Sequence, residues 1–155
     1  MTYLVLVWLH VIGATVLLGT GTGIAFFMLM AHRTHKPALI AHVADTVVVA
    51  DFLFTATAMV AQPVTGGLLM NQQGWPLSTG WILAALGLYV VIGALWVPVL
   101  SMQKHMRDLA RAAAAAGSEL PPAYYRLWRL WFAFGIPAFV AMLGIVWLMV
   151  AKPSL

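Results

Sequence analysis

Tyr3-Leu-Val-Leu-Val-Trp-Leu-His-Val-Ile-Gly-Ala-Thr-Val-Leu-Leu-Gly-Thr-Gly-Thr-Gly-Ile-Ala-Phe-Phe-Met-Leu-Met30 contains no Asp, Glu, Lys or Arg. An uncharged apolar run of this length exceeds the ~20 residues an α-helix needs to cross the hydrocarbon core of a bilayer. A secretory signal would carry basic residues before a short apolar core and a small-residue cleavage site after it. Here Met-Thr-Tyr precedes the run, and Arg33 and Lys36 follow it. The stretch therefore reads as a retained transmembrane helix.

Three further apolar stretches repeat the pattern, at about 42–64, 81–100 and 130–150, the last closed by Lys152 and Pro153. The whole chain is 63% hydrophobic and only 8% charged, against roughly 25% charged residues in a soluble domain. Too few wettable side chains are present to cover a globule in water. The expected architecture is all-α: a polytopic four-transmembrane-helix bundle forming a single membrane domain over residues 1–155.

Seven of the eight Lys and Arg residues fall in two connectors, Ala31–Ala41 and Ser101–Arg129, whereas Thr65–Gly80 has none. The positive-inside rule places the two basic connectors in the cytoplasm and both termini outside, in a bacterial inner membrane. The net charge of +4 thus marks topology and anionic lipid, and no nucleic-acid module accompanies it. After the third span, Met102 to Ala116 continues as a helical extension, with Gly117 as its stop and Pro121-Pro122 opening the next helix. Pro137 predicts a kink in the fourth span. Trp75 and Trp81 at one end, and Tyr124, Tyr125, Trp128 and Trp131 at the other, suit interfacial anchoring. The chain has no cysteine, which removes disulfides and thiolate metal sites. Phosphate loops, nucleophile elbows and zinc-protease motifs are also missing from the sequence.

Ionisable groups within the spans are few, and each is a functional hypothesis because lipid makes them costly. His10 lies about 10 Å into the first helix, on a face shared with Gly13, Ala14, Leu17 and Gly21. A histidine beside small residues leaves a flat recess, suited either to a planar cofactor or to a neutral imidazole bonded to a neighbouring helix. Thr15, Gly19 and Gly23 make a small-residue row on the opposite face, suited to helix docking. In the second span Ala44, Val48, Asp51, Thr55, Ala58 and Gln62 form a polar seam that ends near Thr65. The seam must face the interior or a partner, as a proton relay through Asp51 or as an interhelical hydrogen-bonded seam. His42 and Asp45, three residues apart, are in reach of one another. His32, His35 and His105 read as solvated or lipid-facing, and nothing selects a ligand among Met28, Met59, Met70 and Met142.

The segments Trp8-Leu-His-Val-Ile-Gly-Ala, Ala50-Asp-Phe-Leu-Phe-Thr-Ala-Thr-Ala, Gln62-Pro-Val-Thr-Gly-Gly, Tyr124-Tyr-Arg-Leu-Trp-Arg-Leu-Trp-Phe and Gly135-Ile-Pro-Ala-Phe resemble a bacterial family of predicted integral membrane proteins without assigned function. That family is distantly similar to copper-resistance D proteins and HemJ-type protoporphyrinogen oxidases, which share a first-helix histidine followed by small residues. The resemblance implies a haem b on His10, with Gly13, Ala14 and Gly19 as the haem-facing strip, and an oxidoreductase type of chemistry. Two departures stand against protoporphyrinogen oxidase activity itself: no lysine lies inside a span, and Leu18 replaces a tryptophan common in the wider group. No second histidine shares the depth of His10, so a haem would be five-coordinate, Met-ligated or shared across a homodimer. Two cofactor-free expectations stand beside this one: a scaffold or accessory subunit of a larger membrane complex, and an oligomeric small-molecule or metal permease.

Overall fold

The computed structural model describes residues 2–155. Four long helices follow one another: α1 (Thr2–Arg33), α2 (Pro37–Gln73), α3 (Gly80–Ala115) and α4 (Pro122–Ala151). All four are long and apolar enough to cross a membrane. Their outer faces are apolar rather than wetted: Val60 and Val90 are each 69% exposed, beside exposed Leu4, Trp8, Phe27 and Val140. Lipid is the solvent that such a surface requires.

The ends of the helices follow from local chemistry. α2 starts at Pro37, whose missing N–H costs nothing in a first turn. It stops at Gly74, whose φ of 66° allows the left-handed cap that lets Gly74 N–H reach Asn71 O and Trp75 N–H reach Met70 O. Gly117 (φ 60°) ends α3 in the same way, through Ser118 N–H to Ala113 O and Gly117 N–H to Ala114 O. Pro122 then opens α4. The 36 residues of α3 span roughly 54 Å, so its last turns project beyond the hydrocarbon core as the sequence suggested.

Two features of α2 depart from expectation. The helix runs nine residues past Val64, through Thr65, Gly66 and Gly67 to Gln73, where a loop was expected from Thr65. In lipid an unbonded backbone costs more than the poor helix propensity of glycine. Pro63 would orphan the carbonyl four residues back, and the Tyr89 hydroxyl of α3 donates to that Met59 carbonyl. Second, residues Asp51–Thr55 form a π turn, with Ala56 N–H reaching back to Asp51 O. Mid-helix π turns recur at functional sites. At Pro137, α4 keeps its helical assignment throughout.

The helices pack in sequence order, α1 on α2, α2 on α3 and α3 on α4, while α1 and α4 meet only sparsely. The apolar core is split. At the basic end Met28, Ile40, Ala44, Met106, Ala110 and Tyr124 form one cluster; at the opposite end Trp81, Ile82, Ala85 and Leu148 form another. There Lys152 lies over the Trp75 ring at 4.7 Å, tying the C-terminal residues to the α2–α3 loop.

The basic end is closed by side chains the sequence placed elsewhere. Tyr124, Trp128 and Trp131, expected as interfacial anchors, are buried. His32, expected in solvent, stacks on Trp128 at 4.0 Å and lies 5.7 Å from the Tyr124 ring, with Nδ1 3.4 Å from the Tyr124 hydroxyl. This stack joins α1 to α4 where they do meet. Asp45 turns away from His42 and pairs with Arg111 of α3 at 2.6 Å. The arginine guanidinium offers it a charge-assisted hydrogen bond.

Candidate functional site

The polar residues of α2 divide into two centres. The first lies toward the end of α2 that Gly74 caps. His10 Nδ1 is 2.8 Å from Thr65 Oγ1, and Gln62 Nε2 donates to the His10 carbonyl at 2.8 Å. Gly13 permits this approach: a Cβ there would lie 2.3 Å from Gln62 Nε2 and displace the amide. Gly66 gives the imidazole room in the same manner, since a Cβ there would lie 3.3 Å from His10 Cε1. The recess beside His10 is therefore filled by α2. Gly19 is on another side of α1, where a Cβ would meet nothing within 4 Å, and it borders an outward groove with Thr15, Thr22 and Gly23. Ala14 is half-buried. Gln62 lies against Gly13, and Gly19 borders a different space.

The second centre is at the middle of the bundle. Asp51, Thr55 and Gln103 are buried, Asp51 to 3% exposure and Gln103 to 2%. The π turn presents Asp51 and Thr55 together. From α3 come Trp96 and Gln103, seven residues and two turns apart on one helical face, and from α4 comes Trp131. The Thr55 hydroxyl, the Gln103 amide and the Trp96 indole are the polar neighbours of the Asp51 carboxyl. All three lie within hydrogen-bonding reach of that carboxyl, but none meets strict donor–acceptor geometry. Asp51 Oδ2, Thr55 Oγ1, Trp96 Nε1, Gln103 Oε1 and Trp131 Nε1 are the buried side-chain polar atoms that lack a hydrogen-bond partner among the described residues.

All five line one cavity of about 320 Å³. Its remaining wall is overwhelmingly apolar, and no Lys, Arg or His contributes to it. Leu18, Gly21 and Thr22 of α1 and Gly135, Ile136 and Phe139 of α4 border it, several of them exposed on the outer surface. The cavity thus opens sideways to lipid between the two helices that barely touch. Gly21 and Gly135 keep this border low, each with nothing within 4 Å of a Cβ position.

A buried polar atom without a partner costs about 1–3 kcal/mol, and orphaned groups in folded proteins call for an explanation. Here the residues that carry them all line one cavity. Of the sequence nominations, the structure brings Asp51 and Thr55 to this cavity and leaves His10, Gly13, Gln62 and Thr65 at the other centre. Sequence reasoning missed Trp96, Gln103 and Trp131. The spacing of Trp96 and Gln103 on one face of α3 was the available signal, hidden because Gln103 lies past the apolar run.

A profile describing a predicted integral membrane protein family (DUF2269) matches residues 4–153. The chain belongs to that family. No curated protein and no solved structure matches it.

Proposed function

We propose that this four-span member of the DUF2269 family holds a lipid-accessible binding chamber in a bacterial inner membrane, its basic end toward the cytoplasm. The chamber receives a small membrane-dissolved molecule whose head bonds to Asp51 and its neighbours. The observation that carries this reading is the coincidence of every partnerless buried side-chain polar atom among the described residues with a single laterally open cavity. In hydrocarbon those groups have no water reservoir to satisfy them, so a ligand that enters from the lipid gains the hydrogen bonds the bundle leaves open. Asp51 is also the group able to hold or release a proton as such a head arrives.

The test is occupancy. Protein purified in mild detergent, and the same protein in lipid nanodiscs, is extracted and its retained small molecules are identified by mass spectrometry. A Gly135→Leu variant is run in parallel, because Gly135 lines the cavity and has open space at its Cβ position. A species retained by the wild type and lost from the variant supports the chamber. Identical extracts from both proteins, together with no change in stability between them, overturn it.

Haem b on His10 is the competing proposal. It requires Gln62 and Thr65 to release the first centre, and it predicts a Soret band that His10→Ala removes; a colourless preparation after haem addition ends it. The accessory-subunit reading draws on the outward Thr15–Gly19–Gly23 groove, where a neighbouring helix could dock. Co-purifying subunits lost on Gly19→Leu support it.

A further inference from the structure

We propose that the molecule received by the chamber is a quinone or quinol, its ring lodged beside Asp51, Trp96, Gln103 and Trp131 and its apolar tail leaving between α1 and α4. This inference rests on the chamber reading above and adds the chemical class of the ligand.

Size comes first. A cavity of about 320 Å³ is roughly twice the ~150 Å³ that holds one benzene. It therefore admits a single substituted ring and the beginning of a tail, and is too small for a macrocycle. The tail needs an exit to lipid, and the gap bordered by Gly21 and Gly135 supplies one.

Charge narrows the choice. The lining holds one carboxyl and no basic side chain. An anionic head, such as a phosphate or a fatty-acid carboxylate, would sit beside Asp51 with no cation to offset it. A lipophilic cation would satisfy Asp51 and find aromatic faces in Trp96, Trp131 and Phe132. It would leave the Trp131 indole N–H without an acceptor.

Hydrogen-bond polarity decides between the remaining classes. Indole N–H only donates; Trp96 Nε1 has the Asp51 carboxyl beside it, whereas Trp131 Nε1 has no acceptor among the described residues and requires one. Gln103 Oε1 only accepts, and Asp51 Oδ2 accepts when ionised, so these two require a donor. The Thr55 hydroxyl can do either. A quinone presents two carbonyl oxygens to the donors. A quinol presents two hydroxyls, which can donate to Asp51 and Gln103 and still accept from an indole. A ring whose oxygens interconvert between these forms uses both halves of the orphaned set; a purely apolar guest uses neither.

The experiment uses the full chain in nanodiscs and four probes: decylubiquinone, decylubiquinol, decylbenzene and tetraphenylphosphonium. Binding is read by calorimetry for the wild type and for Trp131→Phe, Asp51→Asn and Gly135→Leu. Each variant is first checked for a monodisperse elution profile and unchanged helicity. The expected result is saturable quinone and quinol binding at least tenfold tighter than decylbenzene. Trp131→Phe should weaken the quinone about tenfold, the loss of one well-placed hydrogen bond, with little change for decylbenzene. Trp96→Phe serves in its place if that variant does not fold. If decylbenzene binds as well as the quinone and Gly135→Leu abolishes both, the chamber stands and the quinone assignment falls. Tighter binding of tetraphenylphosphonium that Asp51→Asn removes also overturns the quinone and makes the ligand a lipophilic cation. If no probe binds to the wild type, both readings fall.

Discussion

Two polar centres sit on α2, roughly three turns apart, and they have solved the same problem in opposite ways. At the first, His10, Thr65 and Gln62 bond to one another and to backbone, and glycines at 13 and 66 let the helices close over them. At the second, Asp51, Thr55, Trp96, Gln103 and Trp131 converge on a cavity and stay partly unbonded. A satisfied polar network holds helices together; an unsatisfied one of equal burial is an expense that only a visitor repays. Under the proposed chamber the histidine, the more conspicuous residue in the sequence, serves the scaffold and the aspartate serves the site.

The contrast can be broken most directly by removing each centre's key residue. Asp51→Leu should weaken retention of the chamber's ligand by about 10- to 100-fold, the scale of a hydrogen bond to a charged or strongly polar group. It should leave the unliganded protein as stable or more so, since an unpaired buried polar group is exchanged for an apolar one. Ligand assay paired with unfolding in mixed detergent measures both, and a large loss of stability would place Asp51 in the scaffold too.

Next in size is Gly13→Leu, which drives a side chain into Gln62. Overpacking of this kind costs about 1–3 kcal/mol, while Gly19→Leu, with open space beside it, should change stability by no more than about 0.5 kcal/mol. Equal effects at the two glycines would mean that α1 and α2 do not approach through Gly13. Gln62→Leu should then cost about 1 kcal/mol by removing the second hydrogen bond to the His10 carbonyl, which keeps its intrahelical partner, the opposite sign to Asp51→Leu. Unfolding midpoints for the two variants side by side test whether the centres differ as described.

The smallest expected effect concerns the stack that closes the basic end beneath the chamber. Burial, with a further push from His35, holds the His32 imidazole below its ordinary range. Its folded-state value is lowered, so the unfolded chain takes up the proton first as the medium acidifies. The contribution of the neutral ring is fully present above about 6.5 and is lost as pH falls through that value toward the lower folded one. Stability measured from about pH 8 to about pH 5 should decline more in the wild type than in His32→Phe, because histidine charges within that interval. Parallel curves would show that the stack is indifferent to protonation. The Tyr124 hydroxyl facing it, raised by burial first and Tyr125 second, stays protonated across the range.

How much of this was legible beforehand differs by residue. Asp51 and Thr55 stood out because a carboxyl and a hydroxyl four apart in an apolar helix must face inward. Gln103 did not, because its neighbours Ser101 and Lys104 are those of a wetted helix. Trp131 was assigned to the membrane interface by composition, since a sequence does not say whether an indole points out to headgroups or inward beneath its neighbours. The nine residues of helix after Val64 were hidden for a related reason: Pro63 and Gly66-Gly67 predict a break, and the Tyr89 hydroxyl that compensates is far away in the chain.

The amino-acid sequence alone determined that four apolar helices cross a bilayer, that the basic connectors lie at one end, and that Asp51 cannot face lipid. Those properties are sums over neighbours in the chain, and hydrocarbon enforces them without regard to how the helices are arranged. Only the tertiary structure decided that Gln62 fills the recess at Gly13 while Asp51 borders a cavity. Hydrogen-bond satisfaction is settled within a few ångströms between helices, and the order of residues along a chain does not contain those distances.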